Sequence, residues 1–135
     1  RTPNSFDNRF NRTKNDENKM YNVENWLIHH GKKLNNRFKL EAYIFMNHLL
    51  STVDITRSLM SFEQIIKKIK SSIHLIAIDS DLYFFSYQDK LTFERVKKSK
   101  KNIFYNEIKS IHGHDAFLIE NVKMSNILKP IFNKK

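Results

Sequence analysis

Two short loops carry most of the concentrated polar chemistry in this chain: Asp79-Ser80-Asp81 and Ser110-Ile111-His112-Gly113-His114-Asp115. A carboxylate that accepts the Nδ1–H of a histidine fixes the ring's tautomer. It also stabilises the imidazolium that forms when Nε2 takes a proton from a nucleophile. Asp81 and His114 are suited to that pairing because each follows a short apolar run. Ile73–Ile78 leads into the first loop, and Ile103-Phe104-Tyr105, running on to about Ile108, leads into the second. Loops leaving the carboxyl ends of neighbouring parallel strands are where open α/β sheets build their sites, so acid and imidazole are expected at one sheet edge. Plainer readings stay open at this point. Asp81 also fits an ordinary loop carboxylate, and Asp115 fits a cap for the helix that follows. His112 and His114 alternate as a His-x-His pair, but no adjacent cluster of carboxylates or thiols completes a site, so no metal is expected. His29, His30, His48 and His74 fall in no motif and read as surface or packed residues.

The loops need a frame, and periodicity supplies one. Residues from Arg1 to about Lys19 are polar and Asn-rich, so an irregular arm is expected, pinned by Phe6 and Phe10. Asn22 reads as the cap of a helix carrying Val23, Trp26, Leu27 and His30, with Gly31 as its stop. Ala42, Phe45, Met46, Leu49, Leu50 and Val53 recur at i, i+3, i+4, i+7, i+8 and i+11, the stripe of a second helix and a packing face. Ser61 and Gln64 form a capping box for a short third helix. After Ser72 the texture changes. Ile73–Ile78 reads as a strand buried on both faces, about 86–98 as a helix, 103–108 as a second strand, and Ala116 to Phe132 as a final helix. The fold class is therefore α/β, in two parts: a polar arm and helices over 1–72, and a β-α-β-α tail over 73–135. Two strands do not make a stable sheet alone, so the chain reads as the last third of something larger.

Composition narrows the chemistry. The 135 residues are 40% hydrophobic and 28% charged, which fits a folded domain or a piece of one. Cys is absent, which removes disulfides, thiolate metal sites and a cysteine nucleophile. Gly occurs only at 31 and 113, so neither a phosphate-binding Gly loop nor a Gly-x-Ser-x-Gly elbow is present. Ser58, Ser61, Ser71 and Ser72 consequently have no nucleophile context. No apolar run approaches the roughly 20 residues of a membrane span, and no signal-peptide core is seen, so no membrane partner is expected. The net charge is +10, but Lys supplies 18 of the 24 basic residues and Arg 6, beside 15 Asn. Such a Lys- and Asn-rich balance is what an AT-rich coding sequence produces. Arg forks for phosphate or base edges are scarce, so no nucleic-acid partner is expected.

An acid followed by a histidine near the end of a chain is the order found in α/β-hydrolase enzymes, whose nucleophile lies earlier. Gly113-His114-Asp115-Ala116-Phe117-Leu118-Ile119-Glu120, with Ile78-Asp79-Ser80-Asp81 upstream, resembles the C-terminal part of homoserine O-acetyltransferases. Arg1-Thr2, Arg9-Phe10-Asn11-Arg12, Val23-Glu24-Asn25-Trp26-Leu27, Gly31-Lys32-Lys33 and Arg37-Phe38 with Tyr43 resemble further segments of that family, in the family's order. The resemblance implies an α/β-hydrolase-fold acyltransferase of methionine biosynthesis, with lid helices before the last strands. It implies Asp81 as triad acid and His114 as triad base. Asp115 would hold the amino group of L-homoserine and Arg1 its carboxylate. Acetyl-CoA would be co-substrate, with no bound cofactor, in a cytoplasmic homodimer. The serine would come from an N-terminal half that is not in this chain, so the chain alone is expected to be inactive. Four positions depart from the family pattern: Trp26 replaces a Tyr, Lys39 and Glu41 replace Asp and Asn, and Phe85 stands where a Pro commonly follows the acid loop. A non-catalytic remnant, or a relative using succinyl-CoA or accepting on L-serine, would carry nearly the same motif.

Overall fold

The computed structural model describes residues 1–58 and 60–133, the Ser58 side chain excepted. The chain forms two compact units, one made of Arg1–Ser5 with the chain after Ser58, the other of Phe6–Ser58. The first helix, α1 (Pro3–Phe10), straddles the division.

An irregular arm was expected at the start, and α1 corrects that expectation. Pro3 presets a helical φ in the first turn, where its missing N–H costs nothing. Thr2 then receives the Ser5 N–H on both its carbonyl and its hydroxyl oxygen, at 3.1 and 3.3 Å. Eight residues hold too few apolar positions for a period to show. Phe6 and Phe10, four apart, nevertheless stack at 6.1 Å, and Trp26 meets Phe6 edge-on at 5.5 Å. Asn11 and Arg12 turn the chain out of α1 in the left-handed region, at φ 42° and 48°.

Helix α2 (Asn22–Arg37) begins at Asn22 itself, so its cap lies one residue earlier than expected. Tyr21 caps it, and the Glu24 carboxylate accepts the Tyr21 N–H at 2.8 Å. Gly31 does not stop it. The residues after Gly31 include Lys32, Lys33 and Leu34, all good helix formers, and they offset the roughly 1 kcal/mol that an interior glycine costs. The helix ends only where Phe38 and Lys39 adopt extended backbone. Helix α3 (Leu40–Thr52) carries the expected stripe, but that stripe faces outward. Phe45, Met46, Leu49, Leu50 and Val53 are all exposed, as are Leu40, Tyr43 and Ile44 on the other sides.

In the other unit, the Ser61–Gln64 box is formed and opens α4 (Phe62–Lys68). Strands β1 (Ile73–Ile78) and β2 (Ile103–Ile108) pair in parallel, Ile73 opposite Ile103 and Ile78 opposite Ile108. Between them runs α5 (Ser86–Val96), which packs on both strands. Side chains alternate across a strand, so α5 meets the face carrying Tyr105, whose ring lies 5.9 Å from Phe93. On the opposite face Ile78, Ile108 and Ala116 form a buried core with Ile76, Met124 and Ile127. The last expected helix is divided. A 3₁₀ turn over Gly113–Asp115 leads into α6 (Ala116–Ile119), and Glu120, at ψ 53°, separates it from α7 (Asn121–Phe132).

Candidate active site

The register that pairs Ile78 with Ile108 delivers both polar loops to the same edge of the sheet. The loops are then stitched together. Asp79 Oδ1 accepts the Ser110 N–H at 2.9 Å, and the Asp79 N–H continues the ladder to the Ile108 carbonyl at 3.1 Å. Ser80 Oγ accepts the Gly113 N–H at 3.1 Å and donates to the Ser110 carbonyl. Ser110 Oγ in turn accepts the His112 N–H at 3.1 Å.

This stitching places His114 Nδ1 2.8 Å from Asp81 Oδ2. Asp81 is buried at 6% exposure, and its other oxygen accepts the backbone N–H groups of Tyr83 and Phe84 at 2.7 and 3.0 Å. Burial by itself would push this carboxyl up. The His114 hydrogen bond and the two N–H donors together outweigh burial and hold it below the ordinary carboxylate value. An ionised Asp81 with both oxygens occupied can only accept from the imidazole, so Nδ1 carries the proton and Nε2 is the basic atom. The His114 ring is flanked by Tyr83, Phe84 and Phe117 at centroid distances of 5.4–5.7 Å, and its side chain remains 43% exposed. The imidazole is thus fixed at one nitrogen while its side chain stays partly exposed.

Arg1 and Asp115, the other two residues singled out in the sequence, are also brought together. Arg1 Nε lies 3.1 Å from Asp115 Oδ2. Asp115 does not cap the following helix through its side chain. Arg1, Ser80, Asp81, Leu82, Tyr83, Gly113 and His114 line one cleft of about 180 Å³. A larger cleft of about 370 Å³ lies around Phe6, Phe10 and Tyr21 in the other unit and contains no such acid–imidazole pair.

The residues that hold these groups in place have no role assigned by the sequence alone. Gly113 adopts φ +61°, and a Cβ there would meet the Arg1 backbone at 3.3 Å. Only glycine combines that conformation with that approach. Ser5, 1% exposed, shares a 2.8 Å hydrogen bond with His112 Nδ1, and Thr2 Oγ1 donates to the Ile111 carbonyl. Asp79, Ser80 and Ser110 stand directly beside the motif residues, which is a usable signal. Ser5 is 107 residues from His112, and no local pattern announces it.

Of the departures noted above, Trp26 is a packing residue of its unit, with its ring 4.1 Å from His30. Lys39 caps α3 and Glu41 lies in its first turn. Among the described residues, no group of three or more His, Asp or Glu side chains is placed to hold a metal ion, and no helix is long and apolar enough to cross a membrane.

A parallel β-α-β unit with a carboxylate-oriented histidine at its carboxyl edge defines an α/β protein with a candidate general base. Comparison with known proteins makes this more specific. Homoserine O-acetyltransferase of Carboxydothermus hydrogenoformans is 39% identical over 80% of this chain and 28% of that protein. The enzyme of the same name from Methanococcus vannielii is 33% identical over 85% of the chain and 23% of its own length. That of Symbiobacterium thermophilum is 34% identical over 74% of the chain and 26% of its own length. No protein-family model matches the chain. The chain is a homologue of the homoserine O-acetyltransferases, and it spans about a quarter of the length of these relatives.

Proposed function

We propose that this chain is the C-terminal part of an α/β-hydrolase-fold homoserine O-acetyltransferase, with Asp81 and His114 as acid and base of a Ser-His-Asp triad. The observation that carries the reading is the 2.8 Å contact between His114 Nδ1 and the buried Asp81 carboxylate, on adjacent parallel strands. Among the described residues no serine hydroxyl is bonded to His114; Ser5 and Ser80 are occupied elsewhere. The nucleophile and its oxyanion hole belong to the rest of the protein.

In this reading His114 Nε2 takes the serine proton as Oγ attacks the acetyl-CoA thioester. It returns that proton to the departing CoA sulfur, leaving an acetyl-serine. L-Homoserine then enters, and Nε2 takes the proton of its hydroxyl as that oxygen attacks the acetyl carbon. The serine leaves with that proton, and O-acetylhomoserine is released. Asp81 stabilises the imidazolium in both halves. Arg1 and Asp115 recognise the amino acid's carboxylate and ammonium. Arg1 and Asp115 pair with one another, so a substrate that engages both would exchange one ion pair for two. The outward apolar face of α3 suits the homodimer expected of such an enzyme, whose place would be the cytoplasm.

The test is CoA release by the full-length protein with acetyl-CoA and L-homoserine, compared with succinyl-CoA as donor and L-serine as acceptor. Acetyl transfer to homoserine is expected, abolished by His114→Asn, and absent from residues 1–135 alone. A folded full-length protein that transfers to neither acceptor from either donor would refute the reading and leave a non-catalytic relative.

A further inference from the structure

His112 shares the loop of His114 but has no part in the mechanism, and its surroundings give it a task. Besides the Arg1–Asp115 ion pair, three ties join the first five residues to the loop that carries His114. Ser5 Oγ bonds His112 Nδ1 at 2.8 Å, Thr2 Oγ1 donates to the Ile111 carbonyl, and the Arg1 backbone closes on Gly113. Ser5 is almost fully buried, so this hydroxyl has exchanged water for a single ring nitrogen. Removing one partner takes away the hydrogen bond on which the other relies. The His112 backbone is fixed as well, its N–H on Ser110 Oγ at 3.1 Å. Main chain and side chain of the residue two before His114 are therefore both held, from different parts of the chain.

We propose that Ser5 and His112 are a positioning pair for acyl transfer. Their hydrogen bond sets the 111–114 loop so that His114 keeps Nδ1 on Asp81 and Nε2 toward the reacting oxygen. His112 itself touches no substrate. The inference rests on the proposed triad, because it assigns a role relative to His114. The consequence follows from how steeply general-base catalysis depends on placement: a base displaced by about 1 Å costs on the order of 100-fold in rate.

The experiment uses the full-length protein and two independent readouts. Ser5→Ala and His112→Leu are expected to lower kcat about 10- to 100-fold, with the KM for acetyl-CoA changed less than about threefold. Hydrolysis of p-nitrophenyl acetate, which needs the triad but no homoserine, should fall in parallel. Ser5→Thr keeps the hydroxyl and His112→Asn keeps a hydrogen-bonding atom near the Nδ1 position, so both should restore most of the rate. The second readout is the downfield proton resonance of His114 Nδ1 in ¹⁵N-histidine-labelled protein. It should weaken or shift in Ser5→Ala and return in Ser5→Thr. Unchanged kcat and an unchanged resonance in Ser5→Ala and His112→Leu overturn the proposal and make the pair purely structural. Should Ser5→Ala not fold, His112→Leu against His112→Asn decides the same question. The resonance does not depend on turnover, so it separates failure of this inference from failure of the acetyltransferase reading.

Discussion

Replacing Asp81 by Asn changes the site at a single atom. Asp81 Oδ1 accepts two backbone N–H groups, at 2.7 and 3.0 Å, while Oδ2 faces His114 Nδ1 at 2.8 Å. An amide has only one acceptor oxygen, and it must choose a side. Turned toward Tyr83 and Phe84, the oxygen keeps both N–H donors and the NH₂ meets Nδ1. Turned the other way, the NH₂ opposes two N–H groups that it cannot satisfy. Two backbone N–H groups would lose their acceptor in that arrangement, so the first orientation is preferred. The ring then accepts at Nδ1 and carries its proton on Nε2, the base of the proposed triad. A triad forced into the wrong tautomer loses about 10⁴ in kcat, or about 5.4 kcal/mol of transition-state stabilisation. The assay is CoA release by full-length Asp81→Asn beside the parent protein, with ¹⁵N shifts of the His114 ring reporting the tautomer. A loss under about tenfold, with Nε2 still unprotonated, would refute the reasoning even if the protein is an acetyltransferase. The same substitution alters acid stability. Asp81 is held below its unfolded value of 3.8, so its contribution is complete above that pH and is lost as pH falls through the folded pKa. Asp81→Asn should flatten the stability curve below about pH 4.

Three further outcomes follow from neighbouring features. Gly113→Ala forces a Cβ into φ +61° and to within 3.3 Å of the Arg1 backbone; the conformation alone costs about 1–2 kcal/mol, so the chemical-denaturation midpoint should fall, and an unchanged midpoint would show that the turn tolerates a side chain. The Tyr105 phenol is pushed up to about 12, by burial first and then by its hydrogen bond and charge contact with Glu107; stability it confers below pH 10 should fade as pH rises from 10 to 12, and Tyr105→Phe should remove that alkaline loss in a pH series of thermal melts. Phe45→Ser with Leu49→Ser removes two exposed apolar side chains one turn apart on α3; sedimentation of the full-length protein should show weaker self-association, and an unaltered dimer would place the interface elsewhere.

How much of this was legible in the sequence depended on whether the determining contacts were local. Strand β1 was readable because Ile73–Ile78 is a short, mostly apolar run with polar ends, and β2 because Ile103-Phe104-Tyr105 opens it; the parallel pairing followed from the helix between them. The Ser61–Gln64 box was readable because both partners lie within one helical turn. Gly31 misled because a glycine signals a stop only where the chain needs a left-handed residue. Here the helix formers on its C-terminal side carry α2 on to Arg37. Helix α1 was missed because its stabilising partners lie outside any window. Thr2 and Ser5 are fixed by Ile111 and His112, more than a hundred residues away. The site divides the same way. Asp81 and His114 announce themselves by type and by their place after strands, whereas the groups that hold them are ordinary serines, an aspartate and a glycine. Ser80, Ser110 and Asp79 acquire meaning only once Ile78 and Ile108 are in register, because that pairing sets one loop's hydroxyls against the other loop's amides. The Asp81–His114 geometry is therefore a property of strand register. A one-residue slip between β1 and β2 would leave every residue of the motif intact and still part Asp81 from His114.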